Sequence, residues 1–161
     1  MLHETNFTNP MKMTKIPPVA QVIIFAIIAW VASNYVPIFN FRGAYSIPLS
    51  IITGGLGLVL VIWSVGQFRR ANTSVDPMSP ESAERFLTSG FYRITRNPMY
   101  LGMALLLFAW VFYIGAFSAI IGAAGFITCM SIWQIPFEEA ALSKRFGTEY
   151  QKYKATVRRW I

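Results

Sequence analysis

Hydrophobic residues fill long segments of this chain, and the charged residues lie between those segments. Residues 16–41 and 43–68 form two stretches of 26 residues without Asp, Glu, Lys or Arg, and 97–137 forms a third of 41 residues. Because about 20 apolar residues of helix cross a hydrocarbon core of about 30 Å, the first two stretches each predict one transmembrane helix. The third would be about 61 Å long as a single helix and therefore predicts two.

The predicted fold is an all-α integral membrane protein with about four transmembrane helices and additional cytoplasmic amphipathic helices, in a single domain over residues 1–161. Small and interfacial residues around Gly115 predict the break between the last two spans. A long polar loop over 69–98 separates the second span from the third and includes a short predicted helix over 80–87. The four predicted spans are 18–36, 47–68, 99–114 and 117–135.

The basic residues predict the orientation of these spans. Short loops that carry Lys and Arg are retained in the cytoplasm. With four spans, every Lys and Arg except Arg42 falls on one side of the membrane. We therefore expect both termini to be cytoplasmic.

The C-terminal segment 137–161 has the pattern of an amphipathic helix. Its apolar residues recur at steps of three and four, which places them on one helical face. Gly147 is predicted to divide this segment into two pieces. The residues on the face are Leu142, Phe146, Tyr150, Tyr153, Val157 and Trp160.

Composition excludes several classes of function. The chain is 55% hydrophobic and only 13% charged, whereas about a quarter of the residues of a soluble domain are charged. The net charge of +7 is explained by membrane topology, so no nucleic-acid partner is expected. One His and one Cys cannot form a usual zinc site, a disulfide within the chain or a Ser/His/Asp triad, and no metal is expected. The sequence contains no P-loop and no dinucleotide-binding glycine motif.

Polar residues are concentrated where the predicted hairpin of spans three and four opens to the cytoplasm. In such a hairpin, residues 96–100 and the pair Glu138 and Glu139 lie at the same depth. This site offers cations for a carboxylate, carboxylates for an ammonium group and aromatic faces for a base, which suits a zwitterionic nucleoside cofactor. The alternative is that Arg93 and Arg96 anchor lipid headgroups and the glutamates begin a helix.

Two blocks of sequence carry a family resemblance. They are FRRANTSVDPMSPESAERFLTSGFYRITRNPMYLG at 68–102 and PFEEAALSKRFGTEYQKYKATVRRW at 136–160. In letters, order and separation they resemble the isoprenylcysteine carboxyl methyltransferase and phospholipid methyltransferase superfamily of small membrane enzymes. The resemblance implies S-adenosylmethionine as methyl donor, held in a cytoplasm-facing pocket.

The resemblance also implies which residues form the site. Residues 96–100 match the family's Arg-His-Pro-x-Tyr box and Glu138 with Glu139 match its paired glutamates. Arg96, Glu138 and Glu139 are the implied catalytic residues. Tyr150, Tyr153 and Arg158 match the C-terminal pattern. Gly55 and Gly57 match a Gly-x-Gly element of the phospholipid branch. The implied cofactor-binding residues are Asn97, Pro98, Tyr100, Leu101, Glu138, Glu139, Tyr150, Gly55 and Gly57.

Asn97 departs from the family box, whose second position is usually His. An Asn side chain donates and accepts hydrogen bonds but takes up no proton near neutral pH, so a general base at this position is in doubt. The substitution resembles bacterial members, which implies a bacterial inner-membrane location.

The methyl acceptor is expected to be lipophilic or presented by the membrane, with membrane lipids as surroundings. A prenylcysteine-like carboxylate would need only positioning, by Arg93 or Arg96. A phospholipid amine would need to lose a proton, for which Glu138 or Glu139 is the available base. A small thiol is a third possibility. Two other functions remain open, namely an NADPH-dependent membrane reductase of the sterol-reductase type and a non-enzymatic lipid-binding scaffold.

Overall fold

The apolar stretches of the sequence form helices in the described part of the chain. The computed structural model describes residues 16–36, 38–71 and 86–161, and within these ranges it contains helices and no strand. Short 3₁₀ turns at Gly90–Arg93 and Phe117–Ala119 and a π-helical turn at Met130–Gln134 link the longer elements. The five helices are α1 (Pro18–Tyr35), α2 (Ser46–Arg70), α3 (Pro98–Ile114), α4 (Ile120–Cys129) and α5 (Ile135–Thr156).

The helices coincide with the predicted spans. Pro18–Tyr35, Ser46–Arg70 and the continuous segment Phe117–Thr156 are long and apolar enough to cross a membrane, and Pro98–Ile114 is a shorter apolar helix. The apolar part of the last segment ends at Ile135, before the glutamates. The all-α membrane architecture is therefore confirmed, while the number of crossings and the orientation stay predictions. Of the helix predicted over 80–87, residues 80–85 lie outside the described residues, and Phe86 and Leu87 are not helical.

A tight turn at Gly115 ends α3, as predicted. Gly115 has a φ of 71°, in the left-handed region that favours glycine, and a Cβ atom there would lie 2.7 Å from the Cβ of Arg42. The loop between α1 and α2 binds this turn, because the amide of Phe41 donates to the Gly115 carbonyl oxygen at 2.8 Å. The hairpin of α3 and α4 is thus fixed at the end opposite the glutamates.

Small residues let the helices approach closely. A Cβ atom added at Gly57 in α2 would lie 2.8 Å from the carbonyl oxygen of Gly102 in α3, and the reverse distance is also 2.8 Å. On the other side, Gly122 of α4 lies against Phe25 and Ala29 of α1. These contacts surround a core in which Leu107, Phe126, Met130 and Ile135 are fully buried.

The C-terminal helix is kinked and shorter than predicted. Gly147 has φ 51° and ψ −127°, which confirms that it divides the segment. The helix ends at Thr156, and Val157 has extended backbone angles. The prediction that Val157 and Trp160 continue the helical face is wrong, because residue 158 instead pairs with Thr95 in a parallel bridge.

Candidate active site

The first turns of α3 and α5 meet at a polar site, as the hairpin geometry predicts. Pro98 occupies the first turn of α3, where its missing amide hydrogen costs nothing, and Tyr100 follows within the same turn. The Tyr100 hydroxyl donates a hydrogen bond to Oε1 of Glu138, and Gln134 Nε2 donates to the same oxygen at 2.7 Å. We call the region formed by residues 95–100, 134–139 and 157–160 the polar mouth.

Glu139 is the centre of an ion cluster in the polar mouth. Arg159 forms a bidentate interaction with it, in which Nε donates to Oε1 at 3.0 Å and Nη2 donates to Oε2 at 2.8 Å. Arg96 Nη2 lies 3.1 Å from Oε1, and Lys154 Nζ lies 3.8 Å from Oε2. Burial alone would raise the pKa of Glu139, but the hydrogen bonds from Arg159 and the charges of Arg96, Arg159 and Lys154 lower it below its usual value. Glu139 is therefore a carboxylate held in its ionised form.

Glu138 has a different environment although it is the next residue. The partners that the structure describes for it, Tyr100 and Gln134, are both neutral. Burial raises the pKa of Glu138 to about 7, against the lowering effect of these two hydrogen bonds and with a smaller raising effect from the charge of Glu139. A carboxyl group with a pKa near neutrality is suited to take up and release a proton.

Arg96 is a buried cation, and two of its donor atoms have no partner in the described part of the chain. Its side chain is 10% exposed, and only Nη2 contacts Glu139. Within the described ranges, Nε and Nη1 are buried and have no hydrogen-bond partner. Buried guanidinium donors are costly when left unpaired, so these atoms indicate a place for an anionic or carbonyl ligand group.

Asn97 binds the C-terminal backbone. Its Nδ2 donates to the carbonyl oxygen of Arg159 at 3.0 Å, and the Thr95 hydroxyl donates to the same oxygen at 3.0 Å. Next to them, the Arg96 amide donates to the carbonyl oxygen of Arg158 at 2.9 Å. Leu101 is half-buried in α3, and its amide donates to the Asn97 carbonyl at 2.9 Å as an ordinary helical bond.

Aromatic side chains form one wall next to the ion cluster. Tyr150 is 3% exposed, and its ring lies 5.5 Å from that of Phe86 and 6.1 Å from that of Tyr153. The Tyr153 hydroxyl donates to the carbonyl oxygen of Tyr92 at 2.7 Å, which ties α5 to the segment before α3. Lys154 Nζ lies 6.0 Å from the Tyr150 ring centroid. Phe86 and Tyr153 are half-buried, so these two rings, and not the enclosed Tyr150, leave surface on which a heteroaromatic ring can stack.

Comparison with known proteins decides the family. Residues 45–149 match the phospholipid methyltransferase family, which is more than half of the chain. This chain belongs to the phospholipid methyltransferase family. The resemblance inferred from the two sequence blocks is thereby confirmed, and the protein is a membrane methyltransferase by family.

Relatives add the following. An uncharacterized protein of Haemophilus influenzae is 43% identical over 63 residues, which cover 39% of this chain and 100% of the relative. No solved structure matches the chain.

The two glycines implied as cofactor ligands of this phospholipid methyltransferase family member lie on different faces of α2. Gly57 is buried against Gly102, so its small size is required for helix packing. Gly55 is exposed and has nothing within 4 Å of its Cβ position. The structure does not bring Gly55 to the polar mouth.

Four residues in or beside the polar mouth are not predicted by the sequence patterns. Gln134 precedes Glu138 by four positions, and this helical spacing is the signal that indicates it. Arg159 gave no such signal, because Arg158 beside it has the same charge and its side chain is exposed. Thr95 and Lys154 also join the site only through long-range contacts. Thr95 donates to the Arg159 carbonyl oxygen, and Lys154 pairs with Glu139.

Proposed function

We propose that this protein transfers a methyl group from S-adenosylmethionine to an acceptor that reaches the polar mouth from the lipid bilayer. Family membership supports methyl transfer in general. The observation that carries the choice of donor is Arg96, a buried guanidinium beside an aromatic wall, whose Nε and Nη1 atoms have no hydrogen-bond partner among the described residues.

The residues present fit this methyl donor. Arg96 would bind its carboxylate, since a guanidinium forms charge-assisted hydrogen bonds with that group. Phe86 and Tyr153, which pack against the buried Tyr150, would hold the adenine ring. Glu139 would keep Arg96 in place, because Arg96 Nη2 is already bound to it at 3.1 Å.

S-adenosylmethionine, when bound, supplies a methyl group on a positive sulfonium that leaves as a neutral thioether. The protein therefore has little need to protonate a leaving group. Its task is to align the acceptor and to remove water from it. A site at the boundary of the apolar helices serves both purposes.

Glu138 supports an amine as the acceptor. A protonated amine has no free electron pair, so it must lose a proton before it can accept a methyl group. Glu138, with neutral partners and a pKa of about 7, takes that proton onto its carboxylate. Glu139 is less suited, because its oxygens are bound to cations. A carboxylate acceptor would need no base and would be repelled by an ionised Glu138. The proposed substrate class is thus a phospholipid amine.

The first experiment measures binding of S-adenosylhomocysteine to the detergent-purified protein by calorimetry. Saturable binding with one molecule per chain is expected. A folded sample that does not bind would contradict the proposal. NADPH is titrated in parallel, and stabilisation by NADPH in place of S-adenosylhomocysteine would instead support a reductase.

A further inference from the structure

Residues 157–160 run alongside residues 95–97, and we call this segment the strap. Arg158 and Arg159 offer their carbonyl oxygens to residues 95–97 through three hydrogen bonds of 2.9 to 3.0 Å. Trp160 extends this attachment, because its Nε1 donates to Ser131 Oγ at 3.0 Å. The strap is therefore fixed on both sides of the hairpin formed by α3 and α4.

Asn97 contributes the side-chain amide of this attachment. Its Nδ2 and the Thr95 hydroxyl share a single acceptor, the carbonyl oxygen of Arg159. The Asn97 backbone amide in turn donates to Thr95 Oγ1, with an N···O distance of 3.1 Å. Both side chains are thus committed to the strap, and a neutral donor suffices for this purpose.

A series of contacts through the strap links the Asn97 side chain to the Arg96 guanidinium. Arg159 belongs to the strap and binds both oxygens of Glu139. Glu139 also binds Arg96 Nη2 at 3.1 Å. The position of the Arg96 guanidinium therefore depends on where the strap holds Arg159.

We propose that Asn97 is a positioning residue, whose side-chain amide holds the strap so that Arg159 and Glu139 fix Arg96 for binding of the methyl donor. This inference rests on the proposed function, in which Arg96 binds the donor's carboxylate. It assigns the second position of the box a hydrogen bond to the C-terminal backbone in place of proton transfer.

Hydrogen exchange tests the strap without any cofactor. The Arg96 amide is bonded to Arg158, so its exchange reports on attachment of the strap. In Asn97→Ala, the peptide that contains Arg96 should exchange about fivefold faster than in the wild type, as expected for one lost hydrogen bond. Arg158→Ala is the matched control, because its side chain is exposed and its carbonyl remains, and it should exchange like the wild type. Unchanged exchange in Asn97→Ala would overturn the proposal.

Binding and kinetics test the effect on Arg96. Asn97→Ala should weaken S-adenosylhomocysteine binding and raise KM for S-adenosylmethionine by about fivefold each, with kcat and its pH profile little changed. Asn97→His should restore most of the affinity, because an imidazole N–H can donate to the same carbonyl. A loss confined to kcat, or a shifted pH profile in Asn97→Ala, would show that residue 97 contacts the reacting groups and would refute the positioning role.

A second variant separates folding from positioning. Thr95→Val removes the other bond to the Arg159 oxygen and should change exchange and affinity in the same direction as Asn97→Ala. It also provides the comparison if Asn97→Ala does not fold. Failure of the wild type to bind S-adenosylhomocysteine would reject the proposed function, whereas the exchange measurement would still decide whether Asn97 holds the strap.

Discussion

Glu138 and Glu139 are adjacent in the sequence, but among the described residues only Glu139 is bound by cations, whereas Glu138 accepts hydrogen bonds from a tyrosine and a glutamine. This difference arises because consecutive residues of a helix point to different sides. Glu139 faces Arg96 and the strap, and Glu138 faces Tyr100 across the hairpin. We therefore propose different roles for the two carboxyl groups, with Glu139 holding the site together and Glu138 transferring a proton.

Glu138 should make the protein less stable as the pH rises. Its pKa is about 7 in the folded protein and 4.5 in an unperturbed carboxyl, so between these values the folded state holds a proton that the unfolded state has lost. The stabilisation that this proton provides is fully present below the unperturbed pKa of 4.5. It is lost as the pH rises through the folded-state pKa of about 7. We expect the melting temperature of the wild type to fall from about pH 5 to about pH 8 relative to that of Glu138→Gln. Parallel melting curves would contradict the assignment.

Glu139 should matter more for stability than other glutamates of α5. Glu139→Gln leaves the buried Arg96 and its neighbours without their carboxylate and should reduce the free energy of unfolding by about 3 kcal/mol. Glu149→Gln, at an exposed position of the same helix, is the control and should change it little. Denaturant titration in detergent measures the difference, and equal stabilities would argue against the ion cluster.

A lysine at position 96 should replace the charge of the arginine but not the geometry of its hydrogen-bond donors. Arg96→Lys keeps the positive charge near Glu139 but loses the planar set of donors, so the affinity for S-adenosylhomocysteine should fall by about tenfold. Arg93→Lys is the matched control, because Arg93 is exposed in the preceding 3₁₀ turn. Calorimetry on both variants checks this, and an unchanged affinity in Arg96→Lys would remove Arg96 from the binding site.

The two glycines of α2 should respond differently to the same substitution. Gly57→Ala places a Cβ atom 2.8 Å from the Gly102 carbonyl oxygen and should lower the melting temperature markedly. Gly55→Ala meets nothing within 4 Å and should fold and bind S-adenosylhomocysteine like the wild type. Loss of binding in a well-folded Gly55→Ala protein would revive a direct role for that glycine in cofactor binding.

Much of the fold follows from local patterns in the sequence. Gaps between charges locate the helices, because a membrane excludes charge over a fixed length. Gly115 marks the turn, and the hairpin that it forms places Tyr100 opposite Glu138 without further information. Gly147 is equally informative, because the kink lies at that residue.

The remainder depends on contacts between distant residues. Nothing local distinguishes Arg159, which binds Glu139, from the exposed Arg158, because their difference arises only where the strap packs on the rest of the fold. The helical pattern also continued through Val157, but pairing of the strap with residues 95–97 overrides it. That Arg96 Nε and Nη1 have no partner among the described residues follows only from the folded surroundings of this side chain.

Methyl transfer in native lipid tests the central claim most directly. Labelled S-adenosylmethionine is supplied to the purified protein with a phospholipid amine, a prenylcysteine carboxylate or a small thiol. We predict label on the phospholipid amine, with a rate that rises through about pH 7 and falls by at least about a hundredfold in Glu138→Gln but not in Glu149→Gln. Transfer only to the carboxylate, or a rate that Glu138→Gln leaves unchanged, would contradict the account.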